Sequence, residues 1–137
     1  MTRRLAVLFT AVVAAASMGL ADLAWACSCV RFDSAAEQLA RSDAVFRGRV
    51  ERTQRLGPNR SATTFVVVER LKGRLGQRVR VVHGTETGGA CGVIFRRGQV
   101  RELAAYRTPD GRWNTNSCSM PQHPWAEFRR AARGGVR

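Results

Sequence analysis

The chain has 137 residues, 23 of them Lys or Arg against 10 Asp or Glu, for a formal net charge of +13. This length allows one ordinary domain behind a leader and leaves no room for a second core. With two histidines, His83 and His123, and four cysteines suited to crosslinking, the composition also argues against an enzyme.

Residues 1–26 read as a secretory signal peptide. Arg3 and Arg4 form a positive start, Leu5 to Leu20 an apolar run, and Ala24-Trp25-Ala26 an A-x-A cleavage site. The apolar run is short for a bilayer span and is followed by small residues, so a retained transmembrane helix is the weaker reading. Cleavage makes Cys27 the mature N-terminus, in the order Cys27-Ser28-Cys29, and sends residues 27–137 outside the cytoplasm as a secreted or periplasmic domain. Lipid attachment at Cys27 is the competing use of that position. The bulky Trp25 suits it poorly, and no polar tether follows.

Arg3, Arg4 and Asp22 leave with the leader, so residues 27–137 carry +12, almost all from arginine, with Lys72 the only lysine. An exported chain this basic is drawn to acidic envelope polymers or acidic protein partners by attraction that weakens with salt. A solvated basic surface is the plain alternative, and export argues against nucleic acid.

Cys27, Cys29, Cys91 and Cys118 all lie beyond the cleavage site. An even count in a small exported domain predicts two disulfides, with three possible pairings. Cys27 and Cys29, two apart on an extended segment, are better placed to reach distant strands than to join each other. Structural zinc competes for four cysteines, but the downstream pair is isolated rather than arranged as C-x₂-C. No intrinsic metal or cofactor is expected.

In chain order, Ser34 with Glu37 three residues later predicts a capping box, and Ala35, Ala36, Leu39 and Ala40 a short helix ending near Arg41-Ser42. From Asp43 the pattern alternates. Val45, Arg47, Arg49 and Glu51 form a charged outer parity, and Ala44, Phe46, Gly48 and Val50 an inner one, with Gly48 marking a bulge or bend. Gln54 to Ser61 reads as a polar turn before a β-branched strand from Thr63 to Leu71, which makes a hairpin with the first.

Lys72-Gly73 breaks the chain. A third strand runs from Gln77 to His83, and Gly84 to Ala90 is a glycine-rich loop leading into Cys91. Further strands are expected at Val93–Phe95, Val100–Arg107 and Arg112–Ser117, the last two joined by the turn Pro109-Asp110-Gly111. Pro124 opens a C-terminal helical turn or two holding Trp125, Phe128, Arg129 and Ala132. The fold class is therefore mainly β: five or six short strands with a helix at each end, fitting a small OB-type barrel better than a sandwich.

Candidate chemistry is sparse. His83 ends a strand beside the glycine loop, and His123 lies in a surface turn between Gln122 and Pro124. Asp33, Glu37 and Asp43 are explained separately by a cap, a helix face and a strand start, so paired-carboxylate catalysis is not indicated. Trp113, Trp125, Phe46, Phe65 and Phe95 read as core or barrel-end residues rather than a ligand platform.

Five ordered stretches resemble the tissue inhibitors of metalloproteinases and the wider netrin-like module. They are Cys27-Ser28-Cys29-Val30 at a mature N-terminus, Ser42 to Val50, Phe65 to Gly73, Cys91-Gly92, and Asp110-Gly111 followed by Asn116-Ser117-Cys118-Ser119 and Pro124-Trp125. Across residues 27–137 the resemblance implies an OB-fold-like barrel with disulfides Cys27–Cys91 and Cys29–Cys118. It also implies a secreted inhibitor in which the amine and carbonyl of Cys27 chelate a target protease's catalytic zinc. Ser28 would enter the S1′ pocket and Cys29 and Val30 the next subsites, with Gly88, Gly89 and Ala90 as a second edge.

The 137 residues hold no counterpart of the animal inhibitors' C-terminal cysteine-rich subdomain, nor of a further cysteine in the early helix region. Those departures leave room for the alternative of a non-inhibitory netrin-like module that binds envelope polyanions or a protein partner.

Overall fold

The computed structural model describes residues 27–85 and 91–135. The expected signal peptide and most of the glycine-rich loop lie outside the described residues. Helix α1 (Ala35–Arg41) precedes strands β1 (Ala44–Gly57), β2 (Arg60–Lys72), β3 (Arg78–Gly84), β4 (Val100–Arg107) and β5 (Trp113–Asn114), and helix α2 (Trp125–Arg133) follows. The fold is mainly β.

The sheet closes on itself in the order β1-β2-β3-β5-β4. All pairings are antiparallel except β3 with β5, where Val81 lies opposite Trp113. Closure follows from the length of β1. Its first half pairs with β4 from Ala44 to Arg49, while the whole strand pairs with β2.

The inner parity of β1 fills the ring as expected: Ala44, Phe46 and Val50 are buried with Phe65, Val79, Val81, Phe95 and Leu103. Phe65 meets Phe46 and Phe95 edge-on at centroid distances of 6.0 and 5.0 Å, and each such buried side chain contributes roughly 1.5–3 kcal/mol. Gly48 sits at a register shift in β1. A Cβ there would approach Phe65 Cβ to 2.9 Å, so the ring packing requires glycine at this position.

The outer parity is not wholly charged. Val45 is fully buried in a second core with Ala35, Leu39, Ala104, Trp125 and Phe128, because α1 and α2 cover the β1–β4 outer face. The expected capping box forms with one variation: Glu37 N–H donates to Ser34 Oγ at 3.1 Å, while the Glu37 carboxylate accepts from Asp33 N–H, one residue before the cap. At the other end Lys72 Nζ donates to the carbonyls of Leu39 and Ala40 at 2.9 and 2.8 Å, so the only lysine closes α1.

Three strand expectations need correction. The polar stretch Gln54–Ser61 is mostly strand, since β1 and β2 run on to a turn at Pro58-Asn59, and cross-strand bonds such as Thr53 to Thr63 at 2.8 Å outweigh its turn-like composition. Val93–Phe95 is not a strand. Val93 N–H reaches Gly84 O, yet Ile94 points outward and Arg96-Arg97-Gly98 turns back at once. The Arg112–Ser117 strand shrinks to Trp113–Asn114, after which Thr115 to Ser119 folds into turns held by the Asn116 and Ser119 side chains.

Candidate functional site

The segment Cys27–Phe32 carries the resemblance's functional residues, and it lies extended outside any helix or strand. Disulfides Cys27–Cys91 and Cys29–Cys118 tie it down, with Cα separations of 5.4 and 5.0 Å. They span 64 and 89 residues of sequence, and closing loops of that size stabilises a chain by about 4 kcal/mol each in the chain-entropy model. The two bridges lie against one another, with Cys27 Sγ 3.8 Å from Cys29 Sγ. Cys91 reaches its partner from a left-handed backbone conformation, φ 54°, which costs a non-glycine residue about 1–2 kcal/mol and is held by the crosslink.

Hydrogen bonds complete the anchoring, and they come from residues that sequence reasoning passed over. Gln122 Nε2 donates to Val30 O at 2.9 Å, and its Oε1 accepts from Phe32 N–H at 3.1 Å, so one side-chain amide pairs with the segment as a neighbouring strand would. His123 Nε2 donates to Phe32 O at 2.9 Å, which places its proton on that nitrogen.

Gln122 is held in turn by Gln38 of α1. The Gln38 side chain is buried, donates to Met120 O at 3.0 Å and accepts from Gln122 N–H at 2.9 Å. A helix face with a glutamine among alanines, and a Gln-His-Pro turn, gave no sign of this relay. Only a buried glutamine obliged to satisfy both ends of its amide would have pointed to it.

The outcome is a firmly rooted but open segment. Ser28, Cys29, Val30 and Arg31 are exposed, and Val30, 69 % exposed, is the most open large apolar side chain on the described surface. Beside it an open groove of about 740 Å³ runs between Arg31, Phe32 and Asp33 on one wall and Ser117, Gln122 and His123 on the other. Of the expected second edge, Gly88, Gly89 and Ala90 lie outside the described residues. Next to them in sequence, Cys91 O accepts from Ser117 N–H at 2.8 Å, and Ile94 is exposed.

His83 belongs to none of this. It is buried at the end of β3, where Thr63 Oγ1 lies 2.8 Å from Nε2 and Nδ1 faces Gly84 O at 3.1 Å. Burial holds its pKa below the usual 6.5, favouring the neutral ring.

Chemically the site offers backbone atoms and short side chains. A residue that begins a chain presents an amine lone pair and a carbonyl oxygen that close a five-membered ring on a metal ion. That pair can fill the open position of a catalytic zinc. All four cysteines are oxidised, so no thiolate nucleophile is present. No protein-family model matches the chain, and a search of curated proteins finds no match to it.

Proposed function

We propose that residues 27–137 form an exported inhibitor of zinc metalloendopeptidases, built as a netrin-like module on an OB-type barrel and related to the tissue inhibitors of metalloproteinases. The observation that carries this reading is the extended Cys27–Val30 segment, exposed from Ser28 onward and fixed by two disulfides and by the Gln122 amide, directly after an A-x-A site. With Cys27 as the first residue, its amine and carbonyl displace the zinc-bound water of the protease. Ser28 enters the pocket beyond the zinc, and Cys29 and Val30 follow along the cleft.

Rigidity is what makes so short a segment effective. A free tripeptide loses side-chain and backbone freedom on binding, about 0.5–1.5 kcal/mol for each ordered side chain, whereas a segment already fixed in the bound shape does not. Val30 adds apolar burial on contact. An α-amine titrates near 7.7–8.0, so chelation by its neutral form strengthens as pH rises through that range.

The test begins with mass and N-terminal sequence of exported material, then titrates it against a panel of zinc endopeptidases. The expected result is a free Cys27, two disulfides and dose-dependent inhibition that disappears when one alanine is added ahead of Cys27. A free N-terminus that inhibits no member of the panel, or a variant with the added alanine that inhibits equally, overturns the proposal.

A further inference from the structure

From the groove that opens across β3 and the β4–β5 turn, we infer a second binding site, for a linear phosphate polymer. Five arginines line this groove of about 370 Å³: Arg74 ahead of β3, Arg78 and Arg80 on it, Arg107 at the end of β4 and Arg112 in the β4–β5 turn, with Trp113 beside them. Arg78 and Arg80 are two residues apart on one face of the strand, roughly 6.6 Å along it. The floor includes Val79 and Leu75, both buried, so the charges stand over apolar packing.

Charge accounting separates this groove from an ordinary arginine surface. Arg78 pairs with Glu51 at 2.9 Å and Arg112 with Asp110 at 2.7 Å. Among the described residues, the guanidiniums of Arg74, Arg80 and Arg107 have no carboxylate partner, so three positive charges remain; the one carboxylate bonded to any of the three residues is Asp43, which accepts from the Arg107 backbone N–H at 2.7 Å. Two of these three are nonetheless held in place. Gln54 Oε1 accepts from Arg80 at 3.1 Å, and the Arg107 guanidinium lies over the Trp113 ring at 4.6 Å. Fixed, desolvation-tolerant guanidinium forks bind oxyanions in pairs of hydrogen bonds, which a set of lysines would not.

Chemistry narrows the occupant. An open trough lined by arginines from β3, the segment before it, the end of β4 and the β4–β5 turn suits several phosphoryl groups in a row rather than one small anion. Phosphoryl oxygens are more basic than those of sulfate esters and accept stronger bonds from a guanidinium. Nucleobases would find no platform: Trp113 is the one aromatic ring lining the groove, its body packs on the core, and Arg107 covers its face. A base-free phosphate polymer of the cell exterior fits these features.

The experiment measures binding of short inorganic polyphosphate of uniform length to residues 27–137 with both disulfides intact, at 50 and 200 mM salt. Arg74→Ala/Arg80→Ala/Arg107→Ala should lower affinity at least about tenfold and flatten the slope of log K against log salt by about 2, at roughly 0.7 per phosphate neutralised. Arg41→Ala/Arg130→Ala/Arg133→Ala removes the same charge from the helices and should change affinity less than threefold.

The triple Lys variant at positions 74, 80 and 107 keeps charge and loses the fork, and should fall between the two. Thermal unfolding of each variant identifies any loss that comes from misfolding. Equal losses in the groove and helix variants overturn the site, as does full retention in the groove variant. Tighter binding of oligo-dT or of a sulfated polysaccharide at matched charge overturns the phosphate assignment. No protease enters this assay, so its outcome is separate from that of the inhibition test.

Discussion

Replacing Glu69 with Gln tests how the C-terminal helix is held to the sheet. Glu69 on β2 accepts two bonds from the Arg129 guanidinium, at 2.7 and 2.8 Å, and one from the Trp125 indole at 2.9 Å. The Arg129 bonds are the main reason that its carboxyl titrates at about 2 instead of 4.5. Partial burial opposes them, and Trp125 and the charges of Arg129 and Arg47 assist. A difference of that size links to at most about 3 kcal/mol. The Glu69 side chain is still 27 % exposed, and screening by water reduces this to about 1–2 kcal/mol.

The sign follows from a folded pKa below the unfolded one. The contribution is whole above about pH 4.5 and is lost as pH falls through 2. Glu69→Gln should therefore lower stability in urea by about 1–2 kcal/mol at pH 7, roughly 4–10 °C in Tm, with the gap closing towards pH 2. Because α2 begins at Trp125, two residues after His123, the same variant should speed amide exchange at Phe32. A gap of equal size at pH 7 and pH 2 would refute the reasoning, since it would show that packing rather than charge holds the helix.

Gln122→Ala should cost about 1–2 kcal/mol of stability and raise hydrogen exchange at Phe32 by an order of magnitude, because Val30 O and Phe32 N–H lose their partner. Gly73→Ala should be worse, about 2–4 kcal/mol by denaturant titration: φ is 93°, and the added Cβ would lie 2.8 Å from both Asp43 O and Ala44 Cβ. Cys29→Ala/Cys118→Ala removes the bridge spanning 89 residues, and a loss of about 2–5 kcal/mol is expected, with Cys27–Cys91 still present by mass. A loss below 1 kcal/mol would mean that the unfolded chain is already compact in that loop.

Period-2 alternation from Ala44 to Val50, the capping box at Ser34, the turn at Pro109-Asp110-Gly111 and strand β4 were legible in the sequence, because each depends on residues close along the chain. The four cysteines announced two crosslinks in the same way, while the pairing came from resemblance and not from spacing. What the sequence could not disclose depends on distant partners. Val45 is buried on the nominally charged face because two helices, far apart in the chain, meet over it. Gln54 and Arg55 join a strand since β2 lies opposite them. Gln38 and Gln122 become the anchor of the Cys27–Phe32 segment only after the fold brings positions 84 residues apart within 2.9 Å. Local chemistry chose most of the elements, and strand pairing set where several of them end. Closure of the sheet, which decides which polar groups lose water and must find one another, chose the site.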